Sequence, residues 1–151
     1  MKELSKFLLC VCILTASNLG HARLIASLSY EDVLEKADAI VIAKPIATTG
    51  TSEKMILPNI SPSISVVGVT TEVKVLSTLK GAKLKILELH HYRLKDINQP
   101  IRNGPLLLDF DSQSGQYLMY LKKESDGRYA PVAGQTDPLG FSILKLDSSL
   151  Q

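Results

Sequence analysis

The sequence predicts a mostly β fold, a small β-barrel with one short N-terminal helix and a long loop over 46–65. Three observations carry this expectation. The stretch Val66–Gly81 places Val69, Thr71, Val73 and Val75 on one face and Thr70, Glu72 and Lys74 on the other. That two-residue period suits a strand with one buried and one wet side. Five or six short apolar segments are separated by turn residues and show no internal repeat, as in small all-β domains. Helical spacing of apolar residues is confined to 30–37, too short a helix to stand alone.

The first residues read as an address rather than as part of the fold. Lys2 and Lys6 precede an apolar run from Phe7 to Ala16, and small residues lead to Gly20-His21-Ala22. A basic start, a short apolar core and a small-x-small end define an export signal. Processing is expected before Arg23, with Thr15-Ala16-Ser17 a weaker alternative. The run falls short of the roughly 20 residues a spanning helix needs. The expected protein is therefore secreted or periplasmic, with signal peptide 1–22, one domain over 23–151 and no stable membrane span after cleavage.

Both cysteines, Cys10 and Cys12, lie in the signal, so 23–151 has no disulfide, no thiolate nucleophile and no thiolate metal ligand. The chain has 17 basic and 15 acidic residues; without Lys2, Lys6 and Glu3 the balance is +1. A polyanion partner needs a basic excess gathered on one face, so nucleic acid is not expected.

In chain order, Ser29 caps a helix whose box is completed by Asp32, and Tyr30, Val33, Leu34 and Ala37 form its apolar stripe. Ala39–Ala43 is a continuous apolar strand, and Pro45 is expected to stop its pairing. Residues 46–65, rich in Ser, Thr and Pro, read as a loop, with Asn59-Ile60-Ser61 a weak glycan acceptor. Lys80-Gly81 ends the long strand, and Lys80, Lys83 and Lys85 read as a solvated edge. Residues 82–92 form a strand of ambiguous register, because Leu84, Ile86, Glu88 and His90 oppose Lys85, Leu87, Leu89 and His91. Arg93–Pro105 reads as a loop and Pro105–Phe110 as an edge piece. Gln116–Lys122 and Arg128–Val132 flank Asp126-Gly127 as a hairpin, with Pro131 placing the second arm on an edge. Leu139, Phe141, Ile143, Leu144 and Leu146 are expected to clip the barrel shut.

A family likeness attaches to these residues. The helix, Ala37–Lys44, Glu72–Leu76 with Leu79-Lys80-Gly81, then Gln116–Leu121 and Asp126-Gly127, together resemble the netrin-like modules. These include the tissue inhibitors of metalloproteinases, which are OB-like barrels, and similar exported bacterial proteins of unknown function. The resemblance implies an OB-like (netrin-like) β-barrel. It does not carry the inhibitory device, an N-terminal cysteine chelating the protease zinc, because the chain is expected to start at Arg23 without any cysteine.

His90-His91-Tyr92-Arg93 is the densest set of reactive side chains. Neighbouring strand residues point to opposite faces, so the two histidines cannot share one metal ion without a bulge. Asp109–Gly115 begins like a calcium loop, but its glycine comes seventh and Tyr120 occupies the bidentate acid's place, so a plain turn is expected. Tyr117 and Tyr120, three apart on a strand, cannot join one stacking platform. No nucleophile elbow, H-E-x-x-H helix or phosphate-cradling glycine loop occurs. The expected function is a non-catalytic binding module for a protein or other extracellular ligand, without cofactor or metal. Its contact surface is expected at His91, Tyr92 and Arg93 with the 46–65 loop. The alternative is a small metal-dependent or hydrolytic enzyme using His90 or His91 with Glu88 or Asp109/Asp111.

Overall fold

A computed structural model describes residues 28–57, 63–96, 107–108, 110, 115–137 and 140–146. The export signal, the Asn59 acceptor, Asp109, Asp111, Leu139 and most of the 93–105 loop lie outside the described residues.

Helix α1 (Tyr30–Lys36) starts as its sequence requires. Asp32 N donates to Ser29 Oγ and Ser29 N to Asp32 Oδ2, each at 3.1 Å. Its buried residue Val33 joins Ala37, Ile40 and Tyr120 in a small apolar cluster, with Tyr30 edge-on to Tyr120. At the other end Lys80 Nζ donates to the carbonyls of Leu34 and Glu35 at 2.8 and 3.2 Å. Lys80 thus caps carbonyls that lack partners within the helix, while it, Lys83 and Lys85 all stay exposed, as expected of a solvated edge.

Among the described residues six strands follow: β1 (Ala39–Ile56), β2 (Ser65–Lys80), β3 (Ile86–Leu94), β4 (Gln116–Lys123), β5 (Tyr129–Pro131) and β6 (Ile143–Leu146). The 46–65 loop expected from its composition is corrected: β1 runs on to Ile56 and pairs with β2 from Ile40↔Lys80 to Ile56↔Ser65. Ile46, Thr48, Thr49 and Thr51 supply the β-branched residues a strand favours. Pro45 does not stop the pairing either. β4 accompanies β1 only over Ala39–Ala43, so at Pro45 the missing N–H costs no ladder bond on that edge, and the register shifts between Pro45 and Ala47.

The pairing order is β1-β2-β3-β5-β4-β6, and β1 also pairs with β4. Five strands therefore pair in a circuit that returns to its start. All pairings are antiparallel except β3–β5, a parallel bridge at Leu89↔Tyr129 alone. β5 lies between β3 and β4, so the edge position inferred from Pro131 is corrected; β3 does not pair with β5 at Pro131, and no bond is forfeited there. The tail does not close the circuit. β6 pairs with β4 beside β5, and Ile143 is buried while Phe141 and Leu146 stay exposed.

Inside the circuit Val69, Thr71 and Val73 are fully buried and Val75 is partly so, as the alternation of β2 dictates. Val73, with Val75 against it, packs in one cluster with Leu87, Leu89, Met119 and Leu121. The register of β3 is thereby settled, with Leu87, Leu89 and His91 inward. Gly81 ends β2 with φ of 90°, where any side chain would also meet the Asp38 carbonyl. Among the described residues no helix is long and apolar enough to cross a membrane.

Candidate functional site

The adjacent histidines face opposite ways and enter different chemistry. Thr70↔His90 and Gly68↔Tyr92 are register pairs on the outer face of β2–β3, whereas Val69↔His91 lies on the inner face. His90 is nevertheless only 4% exposed, because two other parts of the chain cover it.

The first cover is Glu53, on the far half of β1. The register between β1 and β2 is irregular from Gly50 to Lys54, which turns Glu53 inward across β2. It crosses at Gly68, where a Cβ would lie 2.5 Å from Thr51 Oγ1 and 2.8 Å from Glu53 Cβ. Only glycine fits beneath that side chain. The second cover is the β4–β5 turn, closed by Gly127 at φ 94° and by Arg128 N donating to Asp126 Oδ1 at 3.0 Å. This turn delivers Glu124 and Arg128 to the same place.

There His90 Nε2 lies 2.9 Å from Glu53 Oε2 and Nδ1 lies 2.8 Å from Glu124 Oε2. Tyr92 Oη donates to Glu53 Oε2 and Arg128 Nη2 to Glu53 Oε1, both at 3.2 Å. Arg128 Nε donates to Asp126 Oδ2 at 2.7 Å, and Gln135 Nε2 to Glu124 Oε1 at 2.9 Å. Ionised carboxylates only accept hydrogen bonds, and a neutral imidazole has a single N–H. Both contacts of His90 are hydrogen bonds only when the ring is an imidazolium.

The surrounding groups respond accordingly. Partial burial pushes the Glu53 carboxyl upward, but the His90 charge and the bonds from Arg128 and Tyr92 bring it below the usual carboxylate range. Tyr92 is pushed up by desolvation and by its bond to Glu53. Arg128, despite desolvation, is raised by Asp126 and Glu53.

His91 sits in the core at 2% exposure, edge-on to Phe110, with Nε2 at 2.8 Å from Thr71 Oγ1. Thr71 Oγ1 in turn lies 2.8 Å from Thr48 Oγ1. Nδ1 is buried without a hydrogen-bond partner among the described residues. Desolvation first, then the charges of His90 and Arg93, lower its pKa to about 4. A hydroxyl against an imidazole is the geometry of a nucleophile and base, but neither Thr71 nor His91 is open to a substrate.

The residues expected to form the contact surface, His91, Tyr92 and Arg93, differ in exposure. His91 belongs to the core, Tyr92 is half-buried in the outer cluster, and Arg93 is exposed. Glu88, offered as a partner for His90, is also exposed, and the ring's carboxylate partners are Glu53 and Glu124 instead. Those two approach opposite nitrogens and do not converge on one point; among the described residues no three His, Cys, Asp or Glu side chains form a metal-holding group. Tyr117 and Tyr120 fall into separate clusters on the two faces of β4, as their spacing requires.

Gly68→Ala tests the crossing. The added methyl has to displace Glu53, so a destabilisation of about 2 kcal/mol is expected in urea unfolding. A cost below about 0.5 kcal/mol would show that Glu53 does not need that gap.

Fold and cluster define a class: a mostly β protein, six-stranded among the described residues, whose outer β2–β3 face is clasped by a charged cluster around a buried histidine. No protein-family model and no curated protein matches the chain.

Proposed function

We propose that the chain is an exported, non-catalytic binding module, an OB-like (netrin-like) barrel whose ligand surface is the outer face of β2–β3. One observation supports this reading above the others. The β1–β2 arm and the β4–β5 turn meet over β2–β3 at His90. Small Greek-key barrels of the OB type take ligands on the face of their second and third strands, between the loops joining strands 1–2 and 4–5. The five-strand circuit with its closing β1–β4 pairing agrees with such a barrel. Tyr92 of the outer face and Arg128 from the turn are the proposed contacts, with Arg93, whose side chain alternates to the side of His91, at the exposed end of β3. Glu53, Glu124 and Asp126 at this face disfavour a polyanion, so the ligand is a protein or another extracellular molecule rather than nucleic acid. No cofactor enters the proposal.

A second reading, a hydrolytic enzyme based on His90, draws on the carboxylates beside the ring, which orient and charge a catalytic imidazole. It requires Glu53 to leave Nε2 first.

The test begins with export. The secreted product is expected to have the mass of residues 23–151, and an intact N-terminus would count against the signal. Amide shifts of that product are then followed against an oligosaccharide series, acidic and basic peptides and single-stranded DNA. Saturable shifts at Tyr92, Arg93 and Arg128 with a ligand other than DNA are expected. Shifts confined elsewhere, or turnover of a panel member that His90→Gln abolishes, would overturn the proposal.

A further inference from the structure

We propose that His90 is a proton-dependent latch, holding the far half of β1 over the outer face of β2–β3 when charged and releasing it when neutral. The inference concerns regulation of the surface assigned above and rests on that assignment for its consequence, the uncovering of the face around Gly68 and Tyr92.

The argument is one of donors and acceptors. The side chain of His90 is 5% exposed and has a carboxylate oxygen within 3 Å of each ring nitrogen. Loss of one proton leaves a lone pair facing a carboxylate oxygen in a place water barely reaches. That contact turns from a charge-assisted hydrogen bond into a repulsion, and one carboxylate has to withdraw. The groups facing the ring are Glu53 from β1, Tyr92 from β3 itself, and Glu124, Asp126 and Arg128 from the β4–β5 turn, with Gln135 beyond them. His91 lies behind on the other face and is held neutral by burial, so it does not share the proton.

Glu53 is the partner that leaves. Glu124 is fixed within its turn, where its N–H donates to Arg128 O at 2.8 Å and its carboxylate takes a bond from Gln135. Its side chain is 22% exposed. Glu53 is 37% exposed and stands on the part of β1 that pairs with β2 alone, beside the Gly50–Lys54 irregularity. Tyr92 and Arg128 still donate to Glu53, each at 3.2 Å, but at its greater exposure water can replace His90 there more cheaply than at Glu124. The neutral ring then keeps its single N–H on Nδ1 for Glu124.

The test is amide hydrogen exchange of the protein from about pH 5 to about pH 9, corrected for intrinsic exchange, with the His90 ring followed by nitrogen NMR. Protection over 51–56 and 66–70 is expected to fall about tenfold in step with loss of the His90 proton, while protection over 117–121 holds. Glu53→Gln is expected to abolish the step, because a carboxamide accepts from the imidazolium and donates to the neutral ring. A neutral ring throughout, protection that ignores the ring's state, or a step that persists in Glu53→Gln would overturn the latch. The ligand-surface assignment fails separately: a step that appears on schedule while panel ligands ignore Tyr92→Ser upholds the latch and removes that assignment.

Discussion

Leu121→Ala is expected to cost about 3–4 kcal/mol of folding stability. Leu121 is fully buried in the main core with Val41, Leu89 and Met119. It stands on β4, the strand with the most neighbours: β1 pairs with it through Ala39–Ala43, β5 through Leu121–Lys123 and β6 through Gln116–Met119. Truncation removes transfer energy and leaves a cavity whose walls are strands held on several sides, so collapse recovers little. Residues 23–151 contain no cysteine to staple the fold, and total stabilities of about 5–15 kcal/mol leave little reserve. The measurement is urea unfolding: the midpoint falls and the slope is unchanged. Lys122→Ala, exposed on the same strand, is expected to stay within about 0.5 kcal/mol. A cost below about 1 kcal/mol for Leu121→Ala would mean that β4 is not packed as described.

Acidification carries the second large effect, through His91. Its folded pKa is lowered to about 4 from an ordinary 6.5, and it is a base held neutral in the core. Between those values the unfolded chain binds a proton that the folded chain refuses. The unfolded state therefore gains as pH falls, and stability is lost through this window by about 3 kcal/mol. The stability is fully present above 6.5 and gone below the folded value. His91→Gln removes the titration but keeps a polar group facing Thr71, and is expected to flatten the acid limb. Because His90 remains in both proteins, the difference between their pH profiles isolates His91. Identical profiles would place His91 in contact with water.

Much of the fold was legible because it rests on local pattern. The alternation of Val69, Thr71 and Val73, the Ser29–Asp32 cap and the Asp126-Gly127 turn each act over a few residues, and each appears where its chemistry requires. The far half of β1 was not legible. Its Thr, Ser and Gly match loop composition, and its pairing is supplied by β2 from elsewhere in the chain. Pro45 and Pro131 misled for the same reason. A proline excludes a residue from one ladder bond, and which bonds a position owes depends on neighbours that sequence does not reveal.

The cluster was half visible. The opposition of His90 and His91 follows from strand geometry alone, but which of them enters the core depends on β2 and β5. Glu53 had no assigned face while its segment read as loop, and so was missed. One sign was present: Gly68 interrupts a β-branched strand, and a glycine there marks another part of the chain passing close by. Arg128 and Glu124 flank the hairpin turn, but their reach to His90 needs the parallel bridge between β3 and β5.

A double-mutant cycle between Glu53→Gln and His90→Gln at about pH 6, read by urea unfolding, tests the clasp most directly. The contact between their side chains at 2.9 Å, inside a covered site, predicts a coupling of at least about 1 kcal/mol. Changes that add to within about 0.3 kcal/mol would contradict it and leave the arm of β1 unattached to β3.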